Sequence, residues 1–389
     1  MTMKETKGKT VYLDNSATTV ALPEVVEAVK EALVSVYGNP SSLHGMGVAA
    51  ERILRRARQE VAELLGVEAE EIYFTSGGTE ANNWALRGLA YSLRRRGRHI
   101  ITTEVEHASV LEACRGLERE GFSVTYLPVD SRGAVRLEAL EDSLRDDTIL
   151  VSIMSVNNEL GTVQPLEEVA RILATKGPVL FHVDHIQGYG KVQLNLKKLN
   201  IAALSLSAHK IHGPKGVGAL YLRRNLNMLP LLVGGDQERG LRAGTENVPG
   251  IAGFGVAASL ARKSLPQSIE KMRRLKMQLA ERLLTGIPDA YINGPEPTSG
   301  APHILNVSFP GLKAEVLVHM LEEKGIYVST GSACHSRRQN SSHVLQALGL
   351  PKDRIDGSIR ISFSRLNTDE EVEEAARAIC ECVAELRRL

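Results

Sequence analysis

Four short stretches of this 389-residue chain hold residue types that do chemistry. The first is Ser76-Gly77-Gly78-Thr79, which follows the apolar run Ile72 to Thr75 and precedes a helical pattern. Glycines that let the backbone approach an anion, at a helix start with unpaired N–H groups, make a phosphate cup. It is neither GxGxxG nor a Walker loop, which argues against a dinucleotide or ATP. The second is Phe181-His182-Val183-Asp184-His185-Ile186-Gln187. Asp184 follows an apolar strand, where a carboxylate is costly unless it meets a cation. His182 and His185 flank it, but no third ligand at recognisable spacing supports a metal. The third stretch runs from Ser205 through Ser207, His209 and Lys210 to Lys215 and Gly216. A lysine at a strand end suits Schiff-base chemistry when burial lowers its proton affinity. Lys215, the competitor, lies in a solvated Gly/Pro turn. The fourth is Ser329-Thr330-Gly331-Ser332-Ala333-Cys334-His335-Ser336, a polar, small-residue stretch in which an exposed thiol is expected. His335, Arg337 and Arg338 supply the positive potential a thiolate needs. Cys114, Cys380 and Cys382 read as inert.

Alone, each stretch has an ordinary use: a capped turn, an ion pair, a surface cation, a core filler. Together, a phosphate cup, a strand-end carboxylate and a later lysine meet the three requirements of pyridoxal phosphate. The cup holds the phosphate, Asp184 keeps the ring nitrogen protonated and Lys210 holds the aldehyde.

These residues need elements to place them. Ile53, Leu54, Ala57, Val61, Leu64 and Leu65 have helical spacing, and Gly66 stops that helix. Strands are expected at Ile72–Thr75, His99–Thr103, Val124–Val129, Ile149–Met154, Val179–Val183, Ala203–Ser207 and Ala219–Leu222. Helices interleave at Ala108–Glu118 and Leu166–Thr175, and one opens at Glu80. Apolar strands alternating with helices imply a sheet buried on both faces, with ligands at its carboxyl edge. The pattern changes after about Leu265: a long helix over Gln267–Leu284, strands at Ile304–Phe309 and Ile359–Phe363, and a closing helix from Thr368. The expected division is a large α/β domain, residues 18–264, and a smaller α+β domain from residues 1–17 plus 265–389.

Composition narrows the class. A net charge of +1, 4% aromatic residues and a single Trp argue against a nucleic-acid binder. No window reaches the roughly 18 apolar residues of a membrane helix; the nearest, Gly250 to Ala261, is short and Gly-rich. The first residues carry no apolar signal segment. Four cysteines make no disulfide framework. A cytoplasmic protein is expected.

Across nearly its whole length the chain resembles the class-V aminotransferases, fold-type I pyridoxal-phosphate enzymes, and among them the NifS/IscS-type cysteine desulfurases. The resemblance rests on YLDNSATT from Tyr12, YGNPSS, FTSGGTE, TEVEHAS, VNNELG, HVDHIQ, SAHKIHGPKG, RAGTEN and STGSACHS. It implies a fold-type I transferase with a mostly parallel central sheet in the large domain. Lys210 would carry the cofactor aldehyde, Asp184 would pair with the ring nitrogen, Gln187 would reach the ring hydroxyl, and His107 would stack on the ring. Gly78, Thr79, Ser207 and His209 would hold the phosphate, joined by Thr245 of a partner subunit in a homodimer. Asn158 and Arg360 would bind the substrate carboxylate. Cys334 would take sulfur from L-cysteine, leaving L-alanine and a persulfide for an acceptor protein in iron–sulfur cluster, thio-cofactor or tRNA synthesis. Ala333-Cys334-His335-Ser336 also resembles selenocysteine lyases, so L-selenocysteine is the alternative substrate. A non-catalytic sulfur or metal scaffold would have no use for Lys210.

Overall fold

A computed structural model describes residues 10–330 and 342–388, so Cys334, His335, Arg337 and Arg338 lie outside the described residues. The strands are β1 (Val11–Tyr12), β2 (Ile72–Thr75), β3 (His99–Thr103), β4 (Ser123–Leu127), β5 (Thr148–Ser152), β6 (Leu180–Asp184), β7 (Ala203–Ser207), β8 (Gly218–Leu222), β9 (Tyr291–Ile292), β10 (Ile304–Ser308), β11 (Ile326–Tyr327) and β12 (Ser358–Ser362). The helices are α1 (Pro23–Val34), α2 (Gly45–Leu65), α3 (Gly78–Leu93), α4 (Ala108–Arg119), α5 (Leu137–Ser143), α6 (Leu166–Ala174), α7 (Val248–Lys263), α8 (Leu265–Gly286), α9 (Ala314–Glu323), α10 (His343–Ala347), α11 (Lys352–Asp356) and α12 (Asp369–Leu386).

A seven-stranded sheet in the order β2-β8-β7-β6-β5-β3-β4 forms the centre. β3, β5, β7 and β8 are buried along their whole length, as strands covered on both faces must be. One face packs Val25, Leu54, Val61, Val169 and Phe254 from α1, α2, α6 and α7. The other packs Trp84, Leu86, Val110 and Leu117 from α3 and α4. Four strand pairs are parallel. β8 runs antiparallel to both β7 and β2, because the connection from Ser207 to Gly218 is too short for a parallel crossover. Two reversals leave β2 pointing the same way as β7, so β2, β3, β5, β6 and β7 all end at one edge of the sheet.

A second apolar core joins Leu13, Leu275, Phe309, Leu317, Ile361 and Ile379. It packs α8, α9 and α12 on the three-stranded antiparallel sheet β12-β10-β9. Thr368 and Glu371 form a capping box that starts α12. α2 stops where expected, at Gly66, whose φ of 74° is a left-handed cap.

The apolar stretch around Gly250 becomes α7, a core helix packed on α1 and α2. A Cβ at Gly255 would lie 2.6 Å from Ala57 Cα, so only glycine permits this approach. Among the described residues, no helix is long and apolar enough to cross a membrane. The helix after the phosphate cup opens at Gly78 rather than Glu80, which places Gly78 and Thr79 in its first turn.

The outer edge of β2 is occupied by side chains. Glu238 accepts from Phe74 N at 2.9 Å, while Arg58 and Arg239 donate to Ile72 O at 2.7 and 2.6 Å. Arg58 also forms a partly buried two-point pair with Glu238. Glu238 and Arg239 hold φ values of 46° and 59°, a left-handed conformation that costs on the order of 1 kcal/mol each and persists only when contacts fix it.

Candidate active site

The shared strand edge opens onto a cavity of about 340 Å³ whose walls include Gly78, Thr79, His107, Asp184, Gln187, Ser207, His209, Lys210, Asn158 and Arg360. Most of these residues, far apart in the chain, meet because each ends or follows a strand of the same sheet, while Arg360 comes from β12 of the smaller sheet. Thr79 and Gly78 follow β2, His107 follows β3, Asn158 follows β5, Asp184 ends β6, and Lys210 follows β7.

Asp184 is 5% exposed. Its Oδ1 accepts from Ile186 N at 3.0 Å and its Oδ2 from Asn82 Nδ2 at 2.7 Å. Both donors are neutral, and among the described residues no cationic side chain forms an ion pair with this carboxylate. Asn82 also donates to Ser109 Oγ at 2.9 Å. Ser109 Oγ in turn lies 2.8 Å from His107 Nδ1, and Ser109 N donates to the same nitrogen at 3.1 Å. With Nδ1 accepting, the proton of a neutral His107 ring sits on Nε2. His107 is thus both the cap of α4 and one end of a chain of hydrogen bonds that starts at Asp184.

Lys210 sits on the turn after β7, and its Nζ donates to the carbonyls of Ser16 and, at 2.8 Å, Ala17. Gln187 Nε2 donates to the same Ser16 oxygen at 3.0 Å. His209 lies 3.2 Å from Thr18 Oγ1. Burial first, then the neighbouring Lys210, Lys215 and Lys191, hold its pKa down at about 3, so it is a neutral hydrogen-bonding group. Lys215 is exposed in the turn and does not line the cavity.

Arg360, on β12, is 2% exposed. Its Nη2 donates to Asp14 Oδ1 at 2.8 Å and its Nη1 to Asn158 O at 3.1 Å. Thr245 is exposed and lies off this cavity's walls. His182 and His185 bond to serines: His182 to Ser152 and Ser205, His185 to Ser155. Burial lowers both to about 3, and among the described residues no group of side chains could hold a metal ion. Burial pushes the Cys114 thiol up to about 12, which makes it inert at neutral pH.

Asn82 and His343 have no local signal in the sequence and reach the site only through tertiary contacts. Asp14, Ser16 and Ala17 lie in YLDNSATT and Ser109 in TEVEHAS, but their contacts at the site come from the fold. Glu106 did have a signal, the carboxylate in TEVEHAS beside His107. It is fully buried, with Oε1 accepting from Thr103 Oγ1 at 2.8 Å and Met154 N at 2.9 Å, and with Oε2 unpartnered.

A sheet edge that gathers an anion-binding helix start, a buried carboxylate and a half-buried lysine is the architecture of a pyridoxal-phosphate enzyme. The class-V aminotransferase family matches residues 11–374, and the chain belongs to that family, whose members are pyridoxal-phosphate enzymes. Within it the similarity is to the IscS/NifS group. The chain is 48% identical over 384 residues to cysteine desulfurase IscS of Methanosarcina thermophila, covering 99% of this chain and 94% of that protein. A NifS-like protein of known structure superposes with a TM-score of 0.91 at 44% identity, covering 97% of this chain and 100% of that one. The structure of SspA in complex with cysteine matches with a TM-score of 0.79 at 34% identity, over 92% of this chain and 100% of that one.

Proposed function

We propose that this protein is a cysteine desulfurase that binds pyridoxal phosphate in the cavity at the strand edge and takes sulfur from L-cysteine. The observation that carries the reading is the convergence of the α3 start, Asp184 and Lys210 on one cavity. The cavity suits this cofactor on its own terms. Asp184 is a buried carboxylate with neutral donors behind it, so it favours a protonated nitrogen in front. A Cβ at Gly78 would lie 2.1 Å from Ile186 Cδ1, so any other residue at this first-turn position requires the Ile186 side chain to move.

When bound, pyridoxal phosphate supplies an electron sink that weakens bonds around the substrate Cα. Gly78 and Thr79 hold the phosphate with first-turn N–H groups, helped by Ser207, His209 and the partner's Thr245. Asp184 holds a proton on the ring nitrogen, and Gln187 reaches the ring hydroxyl. Lys210 would hold the cofactor aldehyde, and its amine would move the substrate Cα proton. His107 covers the ring and offers its Nε2 proton. Arg360 and Asn158 bind the substrate carboxylate, a task suited to a guanidinium fork. The Cys334 thiolate attacks the substrate sulfur: the Cβ–S bond breaks, an S–S bond to Cys334 forms, and the carbon skeleton gains a proton and leaves as L-alanine. The persulfide then passes to an acceptor protein.

The protein acts as a cytoplasmic homodimer in this reading, with residues 18–264 as the cofactor domain and residues 1–17 plus 265–389 as the domain carrying Cys334. The start of α8 immediately after α7 supports that division. The test is direct. Purified protein should be yellow, should bleach with borohydride, and should form equal amounts of alanine and reducible sulfur from L-cysteine. A colourless protein that takes up no pyridoxal phosphate refutes the reading.

A further inference from the structure

A buried histidine backs Gln187. His303 immediately precedes β10 and is fully buried. Its segment is pinned on several sides. Ala301 N donates to Gly161 O at 2.7 Å, Lys276 Nζ donates to Ala301 O at 2.8 Å, and Phe363 N donates to His303 O at 2.9 Å. The ring meets the site at one point: His303 Nε2 lies 3.4 Å from Gln187 Oε1. Gln187 follows β6, so this contact joins the small antiparallel sheet to the central one. His303 Nδ1 is buried with no hydrogen-bond partner among the described residues.

The donors and acceptors here allow one arrangement. Ser16 O can only accept, so the Gln187 nitrogen faces it, at 3.0 Å. The amide oxygen then faces His303. That oxygen also can only accept, so His303 Nε2 carries the ring proton. Burial, with Lys191, Lys276, Lys210 and Arg360 adding to it, pushes the His303 pKa far down, so the ring has a single proton to place. With that proton on Nε2, Nδ1 is bare, in agreement with its lack of a partner. A buried polar atom without a partner is uncommon, and here it follows from aiming the proton at Gln187. The Ser16 oxygen also takes the Lys210 amine, so its hold on the amide is shared. The second N–H of Gln187 is left for the cavity that this residue lines.

We infer that His303 is a positioning residue: its Nε2–H locks the Gln187 amide so that Gln187 presents an N–H, not a lone pair, to the ring hydroxyl of pyridoxal phosphate. The inference rests on the functional reading above, in which Gln187 meets that hydroxyl. An N–H attracts an ionised hydroxyl and an amide oxygen repels it, so the side chain aids or opposes cofactor binding according to which way it is turned.

The experiment measures binding of pyridoxal phosphate, and of its 3-deoxy analogue that lacks the ring hydroxyl, to the full-length protein stripped of cofactor. Wild type is compared with His303→Phe and His303→Leu, which remove the donor, and with His303→Gln, which keeps one. The first two variants should weaken pyridoxal phosphate roughly three- to tenfold, the worth of one hydrogen bond, and leave the analogue within about twofold of wild type. The third should bind both ligands as wild type does. Gln187→Leu should show the same selective loss, and adding His303→Leu to it should weaken binding no further, as for residues that act through one another. Equal losses for the two ligands in His303→Phe and His303→Leu, or no loss for either, overturn the inference, as does a further loss in the double variant. A wild type that binds neither ligand overturns the functional reading itself, and this inference with it.

Discussion

Asn82 Nδ2 donates to Asp184 Oδ2 at 2.7 Å and to Ser109 Oγ at 2.9 Å, so one neutral amide joins the strand-end carboxylate to the helix capped by His107. The carboxylate is buried, and in the proposed function its ionic partner is the ring nitrogen of the cofactor. Asp184→Asn keeps the shape and removes the charge. Turnover should fall roughly 30- to 100-fold, the loss of one hydrogen bond between charged groups. Cofactor-free protein should melt at the same temperature or higher, because an unpaired buried charge is gone. A variant with wild-type turnover would remove Asp184 from the ring nitrogen.

Lys210 and Lys215 are separated by position, not residue type. Lys210 lines the cavity, and Lys215 is exposed outside it. Lys210→Ala should lose turnover and the borohydride-reducible linkage; Lys215→Ala should keep both. Peptide mapping after reduction decides, and label on the Lys215 peptide would overturn the assignment.

Arg360 is already engaged by the carboxylate of Asp14, and a substrate carboxylate must share its fork. Lysine cannot serve two carboxylates in one plane. Arg360→Lys should raise KM for L-cysteine roughly 10- to 100-fold while the cofactor band survives. An unchanged KM would show that the substrate carboxylate binds elsewhere.

Cys334 is the nucleophile in the proposed reaction, so Cys334→Ala should lose alanine formation from L-cysteine. Cofactor binding should persist, since Lys210 and Asp184 are untouched, and cysteine should still change the spectrum. Selenium leaves more readily, so the variant should retain activity on L-selenocysteine. Full activity of the variant on L-cysteine would end the nucleophile role. Wild type active on L-selenocysteine alone would make the protein a lyase.

Glu106 gives a pH prediction. Burial, reinforced by the charge of Asp184 and opposed by two hydrogen bonds, raises its pKa from 4.5 to about 8. The folded protein thus holds a proton that the unfolded chain releases. The stability this neutral group contributes is complete below 4.5 and declines as pH rises toward about 8. Glu106→Gln keeps acceptors for Thr103 and Met154 and cannot ionise. Unfolding free energies measured across that window should show wild type losing stability relative to the variant as pH rises. Parallel curves would refute the shift.

The convergence of these residues on one cavity was legible because they lie at strand ends, where an apolar run meets a glycine, an aspartate or a lysine. The strand expected at Val179–Val183 and the Asp that follows it are local signals, and the sheet brings them to one edge. Asn82 was not legible, since its partner Asp184 lies 102 residues away and nothing on α3 marks it. Lys191 looked like any surface lysine until the fold buried it. α1 has no clear pattern because Val26, Leu33 and Val34 are exposed while Val25 and Ala32 are buried. The reversal of β8 follows from loop length rather than residue type.

The side chains on the edge of β2 have a further consequence. An edge strand with open amide and carbonyl groups can recruit a strand from another molecule and seed fibres. Here Glu238 takes the outward amide of Phe74, and Arg58 and Arg239 take the outward carbonyl of Ile72. The left-handed turn at Glu238 and Arg239 thus works as a chain terminator for the sheet, guarding against aggregation beside the strand that leads into the phosphate cup.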